Sequence, residues 1–319
     1  MGIYSGKKLG MDVSYYQQTV DYKRLKSEGL DFVIGRTGRG TIIDPRFAYH
    51  CQGAFDAGLP FFGYHVPDPA VNQDPIMDRD KTFLALVYAL QNKTYCGLVS
   101  DCEIKGYTGP GGQPVTIPNT NLSGYYSNFI WQVVKFLAGA KPHLCYSSVG
   151  FIETYMPAFN NQIIKMDPFM AEYPYPLGTK NIIALSSLDD LRVWIDKLET
   201  LYGGGKRGPL VPSTCKANKM IQFTGDTMTH PAVLGATSQV SACDFELFLG
   251  TDDEWDAYIH ASGNTPVPAE GTGGSVTIDP APVVATNPDV AELELEITAL
   301  TSRVALTEAK LNGIKAALS

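Results

Sequence analysis

From about residue 9 to 260, short runs rich in β-branched and aromatic residues alternate with longer amphipathic segments. That alternation is the pattern of repeated βα units, and it directs the chain toward a parallel sheet or barrel. The strand candidates are LGMDV (9–13), DFVIGRT (31–37), PFFGYHV (60–66), GLVSDCEI (97–104), PHLCYSS (142–148), PFMAEY (168–173), KMIQFT (219–224) and SACDFELF (241–248). Helical segments fall between most of them. Asp44-Pro45 is expected to open one, because Asp can cap first-turn amides and proline at the first helical position gives up no needed donor. Gly58 is expected to end that helix after Ala57.

The pattern stops near residue 260. Residues 261–288, ASGNTPVPAEGTGGSVTIDPAPVVATNP, are dominated by Gly, Pro, Thr and small side chains and read as a linker. Beyond it Val290, Leu293, Ile297, Leu300, Val304, Thr307, Leu311, Ile314 and Leu318 recur at alternating spacings of three and four, and only Thr307 among them is polar. Sustained heptads imply a left-handed coiled coil over 289–319, with docking of the stripe on the first domain as the alternative. β-branched Val290, Ile297 and Val304 at a positions with Leu293 and Leu300 at d favour a dimer, whereas Leu311 followed by Ile314 leaves a trimer open. The 319 residues, 44% of them hydrophobic, thus divide into a large domain over 1–260, a linker and a homo-oligomerising helix.

A formal net charge of −8 argues against nucleic acid as a partner, since phosphate contacts need clustered Lys and Arg. No run approaches the roughly 18 to 20 apolar residues of a membrane helix. The start, MGIYSGKKLGMDV, lacks the apolar stretch of a secretory signal, and Gly6 stands where a myristoylation motif needs Ser or Thr. Synthesis in a host cytoplasm is the expectation. The 6 cysteines, Cys51, Cys96, Cys102, Cys145, Cys215 and Cys243, show no metal spacing and read as reduced, buried hydrophobes. The 5 histidines are dispersed, no zinc motif is present, and GGGKRG (203–208) lacks phosphate-loop spacing. No metal or cofactor is expected.

Chemistry concentrates in carboxylates. Asp101 and Glu103 are two apart in GLVSDCEI, so on a strand they share one face while Cys102 takes the other. Two acids within an apolar run are costly unless solvated or partnered, which makes a functional face the better reading. Asp12 in the first strand and Asp244 in the last add two more, and a closed barrel makes those strands neighbours. Crowded carboxylates raise one another's proton affinity, so one can stay protonated near neutral pH and donate to a leaving oxygen, as glycosidic cleavage requires. Tyr15, Tyr16, Tyr64, His65, Tyr146, Tyr173 and Tyr175 accompany the acids, and aromatic faces with phenolic hydroxyls suit sugar rings.

In this order and spacing the segments resemble glycoside hydrolase family 25, the Chalaropsis-type lysozymes of fungal, bacterial and phage origin. The resemblance spans about residues 9–250. It rests on GMDVSYYQ, VDYKRLKSEGLDFVIGRTGRG, DPRFAYHCQGAFDAGLPFFGYHV, SDCEI, CYSS, FMAEY, MIQFT and ACDFELF. It implies a modified (β/α) TIM-like barrel that hydrolyses the β-1,4 bond between N-acetylmuramic acid and N-acetylglucosamine of bacterial peptidoglycan. It further implies Glu103 as general acid, and Asp101 either as nucleophile or as the group orienting the substrate's acetamido. Asp12 and Asp244 become supporting carboxylates. Tyr64, Tyr146 and Tyr173 line subsites, with His65 and Gln222 as further candidates.

Three departures stand out: Arg39 where the family often has Glu, Ile221 where Trp is usual, and a longer segment at 181–218. With all four acidic positions present, altered specificity is the expectation rather than lost catalysis. The Asp-x-x-Asp-x-Asp-x-Glu motif of a chitinase family matches CGLVSDCE only in its last Asp-x-Glu. The alternative outside enzymes is a wall-binding or structural subunit of a phage tail built on the same barrel. An oligomerising stalk suits a virion-attached part, while action on the wall after release suits a free endolysin.

Overall fold

The computed structural model describes residues 2–70, 95–108, 113–137, 142–156, 166–173, 187–202, 209–213, 215–224 and 244–260. All belong to the unit Met1–Val267. The linker at 261–288 and the heptads at 289–319 lie outside the described residues, as does Cys243.

Eight strands close into a barrel. In chain order the described strands are β1 (Lys8–Val13), β2 (Phe32–Arg39), β3 (Ile42–Ile43), β4 (Phe61–Val66), β5 (Tyr95–Asp101), β6 (Gly106–Thr108), β7 (Pro114–Thr116), β8 (His143–Ser147), β9 (Asp167–Ala171), β10 (Met220–Gln222) and β11 (Phe245–Phe248). The ladder runs β1-β11-β10-β9-β8-β5-β4-β2 and the β1–β2 pairing closes it, with β3 appended to β2 and β6–β7 forming a separate hairpin. Every barrel pairing is parallel except the two made by β11, which is antiparallel to both β1 and β10. An all-parallel reading of the βα pattern therefore fails at its last strand. This reversal puts the start of β11 at the mouth formed by the C-terminal ends of the other strands.

The helices are α1 (Tyr22–Ser27), α2 (Phe47–Asp56), α3 (Asn119–Leu137), α4 (Val149–Tyr155), α5 (Leu188–Ile195), α6 (Leu198–Leu201) and α7 (Asp252–Ile259). Apolar side chains on the outer strand faces, such as Val33, Phe61, Leu98, Cys145 and Ile221, pack with helical Leu25, Phe129 and Ile152 in one continuous core. A second core fills the barrel with Phe32, Ile34, Phe62, Val99, Leu144, Phe169 and Phe248. Because β11 runs the opposite way, α7 follows it at the far end from the mouth, and a Thr251–Glu254 capping box starts it. Trp255 of α7 packs against Phe32 and Phe248 with ring centroids 5.0 and 5.1 Å away, closing the barrel floor. Gly10 makes room for that floor, since a Cβ there would lie 2.1 Å from the Phe32 ring.

Local expectations needed adjustment at two places. Helix α2 begins at Phe47 rather than at Pro45, with Arg46 as its N-cap and no side-chain cap. Asp44 instead accepts from the Arg46 and Tyr15 backbone amides and from Arg36 Nε. Gly58 does close the helix, at φ +68, where a side chain would be strained. Strand β5 stops at Asp101, so Glu103 stands just past it. The alternation nevertheless continues, because the Cys102 amide donates to Tyr146 O at 2.9 Å and holds the backbone extended.

Three histidines are structural. His50 bridges Tyr22 OH and Ser14 O, His65 bonds Thr37 Oγ1, and His143 bonds Ser100 Oγ. Burial pushes their imidazoles down to about 4, 3 and 3 respectively. Of the described cysteines, Cys51, Cys96, Cys102 and Cys145 are buried and Cys215 is half-buried.

Candidate active site

The mouth of the barrel opens into a cleft of about 390 Å³ whose walls include Asp12, Asp101, Glu103, Asp244, Tyr64, Tyr146 and Gln222. Asp12 comes near the end of β1, Asp101 ends β5, and Asp244 precedes β11. Closure brings the first and last strands together so closely that the Asp12 amide donates to Asp244 O at 3.1 Å. Four carboxylates scattered over more than two hundred residues of sequence thus face one space.

They are not equivalent. Asp101 is 8% exposed, whereas Glu103 stands exposed at the rim. Burial first, then the neighbouring Glu103 and Asp12 charges, pushes the Asp101 carboxyl well above the usual carboxylate range, with Arg36 opposing. One of its buried oxygens has no hydrogen-bond partner. Such a pair holds a proton well into the range where an isolated carboxylic acid has lost it.

Gln222 is the hub of the floor. Its Nε2 donates to Asp12 Oδ2 at 2.9 Å, while Tyr146 OH and Tyr173 OH both donate to its Oε1 at 2.7 and 2.6 Å. The amide therefore fixes two phenols and one carboxylate in a single orientation. Tyr64 also lines the cleft, and its burial raises the phenol well above its ordinary value. His65 does not reach the cleft. Its strand face turns outward, where the ring is fully buried and stacks on Phe129 of α3 at 5.7 Å. Ile221 faces outward too, so the residue that departs from the usual Trp packs in the outer core. Arg39, where the family often has Glu, does line the cleft.

Sequence reading passed over two charged residues. Glu246 on β11 is 0% exposed and sits directly below Asp244 on the same face, opposite Gly10 and Gln222 in the ladder. Neither of its oxygens makes a hydrogen bond of good geometry, although the Asp12 carboxyl and the Gln222 amide lie beside it. Burial first, then Asp12, raises its carboxyl well above the ordinary range. The signal was present: Asp244 and Glu246 are two apart in SACDFELF, the same relation as Asp101 and Glu103. Arg36 on β2 is the second. It pairs with Asp44 at 2.7 Å and lies over the Tyr15 and Tyr16 rings, 4.8 and 5.6 Å from their centroids.

The segment carrying Glu103 is tethered from behind. Tyr126 OH of α3 both accepts from the Ile104 amide at 3.0 Å and donates to Ile104 O at 2.9 Å, and Ser147 Oγ donates to Cys102 O at 2.6 Å. Tyr126→Phe is expected to lower kcat on bacterial walls about tenfold with little change in KM, because small misplacement of a reacting group is expensive. It should also destabilise the fold by about 1–3 kcal/mol, the cost of stranding buried backbone groups. Steady-state kinetics together with thermal unfolding check this; an unchanged kcat would show that the tether does not hold the site.

Among the described residues no group of three or more His, Cys, Asp or Glu is placed to hold a metal ion. No described helix is long and apolar enough to cross a membrane.

An acid-lined mouth with aromatic walls on a closed, mixed-strand βα barrel defines a glycoside hydrolase. The family model for "Glycosyl hydrolases family 25" matches residues 11–187, more than half of the chain. The chain belongs to that family and is a muramidase (lysozyme) hydrolysing bacterial peptidoglycan. Solved structures agree on the fold. The chain is similar to a muramidase from Trichobolus zukalii, with 20% identity, TM-score 0.53, and coverage of 79% of this chain and 98% of that one. It is also similar to the bacterial lysozyme from Streptomyces coelicolor, with 17% identity, TM-score 0.53, and coverage of 80% and 97%. The catalytic domain of endolysin ply40 from bacteriophage P40 of Listeria monocytogenes gives 19% identity, TM-score 0.50, and coverage of 79% and 97%. No curated protein matches the chain in sequence.

Proposed function

We propose that the cleft cleaves the β-1,4 bond between N-acetylmuramic acid and N-acetylglucosamine, with Glu103 as general acid and Asp101 as its partner. The observation that carries this is the crowding of Asp101 by Glu103 and Asp12 within a buried wall, which retains a proton on the pair. Glu103, at the solvent rim, delivers that proton to the leaving oxygen, and its carboxylate then takes a proton from the water that attacks the anomeric carbon, releasing the sugar and restoring the acid. Asp101 beneath it faces the anomeric centre, either attacking it or holding the substrate's own acetamido group in position. Asp12 and Asp244 tune the pair, Gln222 locks Asp12 and the phenols, and Tyr64, Tyr146 and Tyr173 contact the sugars. Release of reducing ends from purified bacterial walls tests the reading, with sugar-end analysis identifying the muramic acid side of the cut.

The heptads at 289–319 oligomerise the enzyme through a linker at 261–288, presenting two or three clefts together on a wall. Such a stalk fits a phage-particle component, and a wall-acting enzyme freed from the host cytoplasm is the other setting. Deleting 289–319 is expected to convert a dimer or trimer to a monomer in light scattering without loss of the barrel's thermal transition. An unchanged mass would remove the coiled coil.

A further inference from the structure

Beside the cleft lies a second groove of about 410 Å³, walled by Tyr15, Tyr16, Ile42, Ile43 and Arg39. It shares Tyr16, Arg36 and Arg39 with the acid-lined cleft, so the two adjoin. Its apolar wall comes from the β2–β3 turn, where Gly40 at φ +54 reverses the chain and leaves Ile42 70% exposed. Tyr16 is 50% exposed, and its ring lies tilted against that of Tyr15 with centroids 4.0 Å apart. Apolar side chains gathered along one groove mark a recognition surface more often than scattered ones do.

Charge narrows the choice of occupant. The Arg39 side chain is 58% exposed at the junction of the grooves and is held there through Nε by the buried Asp68 carboxylate at 2.7 Å. Its guanidinium is a fixed cation at the edge of a cleft whose other charged walls include four carboxylates. N-acetylated sugars are neutral, and the lactyl carboxyl of muramic acid is tied up as the amide that carries the stem peptide, so the glycan itself does not call for it. In peptidoglycan the ionised substituent is the acidic stem peptide, which branches from the muramic acid beside the bond being cut. An apolar groove with a cation at its entrance matches an acidic peptide with alanyl ends better than a wall phosphate polymer, which has no apolar part to fill it.

We infer that the groove between Tyr15–Tyr16 and Ile42–Ile43 is a stem-peptide subsite, with Arg39 binding a stem carboxylate, so that the enzyme selects peptide-bearing glycan. The inference rests on the proposed muramidase chemistry for its kinetic consequence but not for its binding consequence. The measured quantity is the ratio of kcat/KM on peptide-bearing strands to that on amidase-stripped strands whose freed lactyl carboxylates have been capped as methylamides, so that the comparison glycan carries no carboxylate. The wild type is expected to show a ratio of about ten, and Arg39→Gln or Ile42→Ser to bring it close to one, as loss of a charge-assisted or an apolar anchor would. In parallel, the isolated acidic stem tetrapeptide is titrated calorimetrically into wild type and both variants, where binding should weaken about tenfold. Equal rates on both substrates in the wild type, or a ratio untouched by both substitutions, would overturn the subsite. So would binding of soluble teichoic acid in place of the tetrapeptide. If neither glycan is hydrolysed, the catalytic reading fails, while tetrapeptide binding still decides the inference.

Discussion

Glu103→Gln is expected to slow the release of reducing ends from bacterial walls by roughly 100- to 10,000-fold, the span that a positioned general acid contributes. Glutamine keeps the shape and the hydrogen-bonding reach but has no proton to give. Because Glu103 is exposed at the rim, the fold should be unaffected, and thermal unfolding should move by less than about 0.5 kcal/mol. The pH profile carries a second readout. Asp101 and Glu103 crowd each other, so the pair keeps its proton to higher pH and activity falls as pH rises through its upper ionisation. Asp101→Asn removes that crowding and should move the alkaline limb of any residual activity to lower pH. A Glu103→Gln enzyme within threefold of wild type would remove this residue as proton donor. A wild type inert on every wall type, yet still bound to walls, would make the barrel a saccharide-recognising module.

Glu246→Gln is expected to stabilise the protein at alkaline pH and to leave it unchanged under acid. The Glu246 carboxyl is raised in the fold above its unfolded value, so the folded state binds a proton that the unfolded chain releases. The stability due to the neutral acid is fully present below the unfolded carboxylate pKa. It is lost at about 1.4 kcal/mol per pH unit as pH rises toward the folded value. The buried histidines run the other way: lowered to about 4, 3 and 3, they favour the fold above roughly pH 6.5 and cost stability as pH falls. Above that pH their contribution is constant, which leaves the carboxyls to set the slope. The variant should therefore melt a few degrees above wild type at pH 8 and level with it at pH 4, since 1 kcal/mol shifts a domain of this size by about 2–4 °C. Parallel melting curves across that range would show that Glu246 is ionised and partnered in the fold. If activity also falls in the variant, Glu246 acts through Asp12 and Gln222, which lie beside it.

Much of this architecture was legible because strand periodicity and burial are written locally. Residues 9–13, 60–66 and 142–148 each fall within a residue of the strand observed, since short runs buried on both faces between turn residues leave few alternatives. The i, i+2 rule put Asp101 and Glu103 on one face although the ladder stops at Asp101, because the extended backbone outlasts the pairing. The same rule, applied to Asp244 and Glu246, would have found the buried acid. Tyr126 carried no such signal: a tyrosine on an amphipathic helix reads as core, and only packing turns its hydroxyl to the Ile104 backbone. His65 failed in the opposite direction. It adjoins Tyr64 in sequence, yet alternation sends the two side chains to opposite faces.

What the sequence by itself determined was the βα order, the acids at the ends of β1 and β5 and ahead of the last strand, and the heptad spacing at 289–319. Those follow from periodicity, which neighbouring residues impose on one another. The sequence made the meeting of those acids conditional on a closed barrel, and the tertiary structure supplied the closure. Closure of β1 onto β11, and the reversed direction of β11, bring Asp12 and Asp244 to the same mouth as Asp101 and Glu103 and place Glu246 beneath them. No local rule contains that direction, because it depends on which strand edges remain to be paired after the other seven are in place.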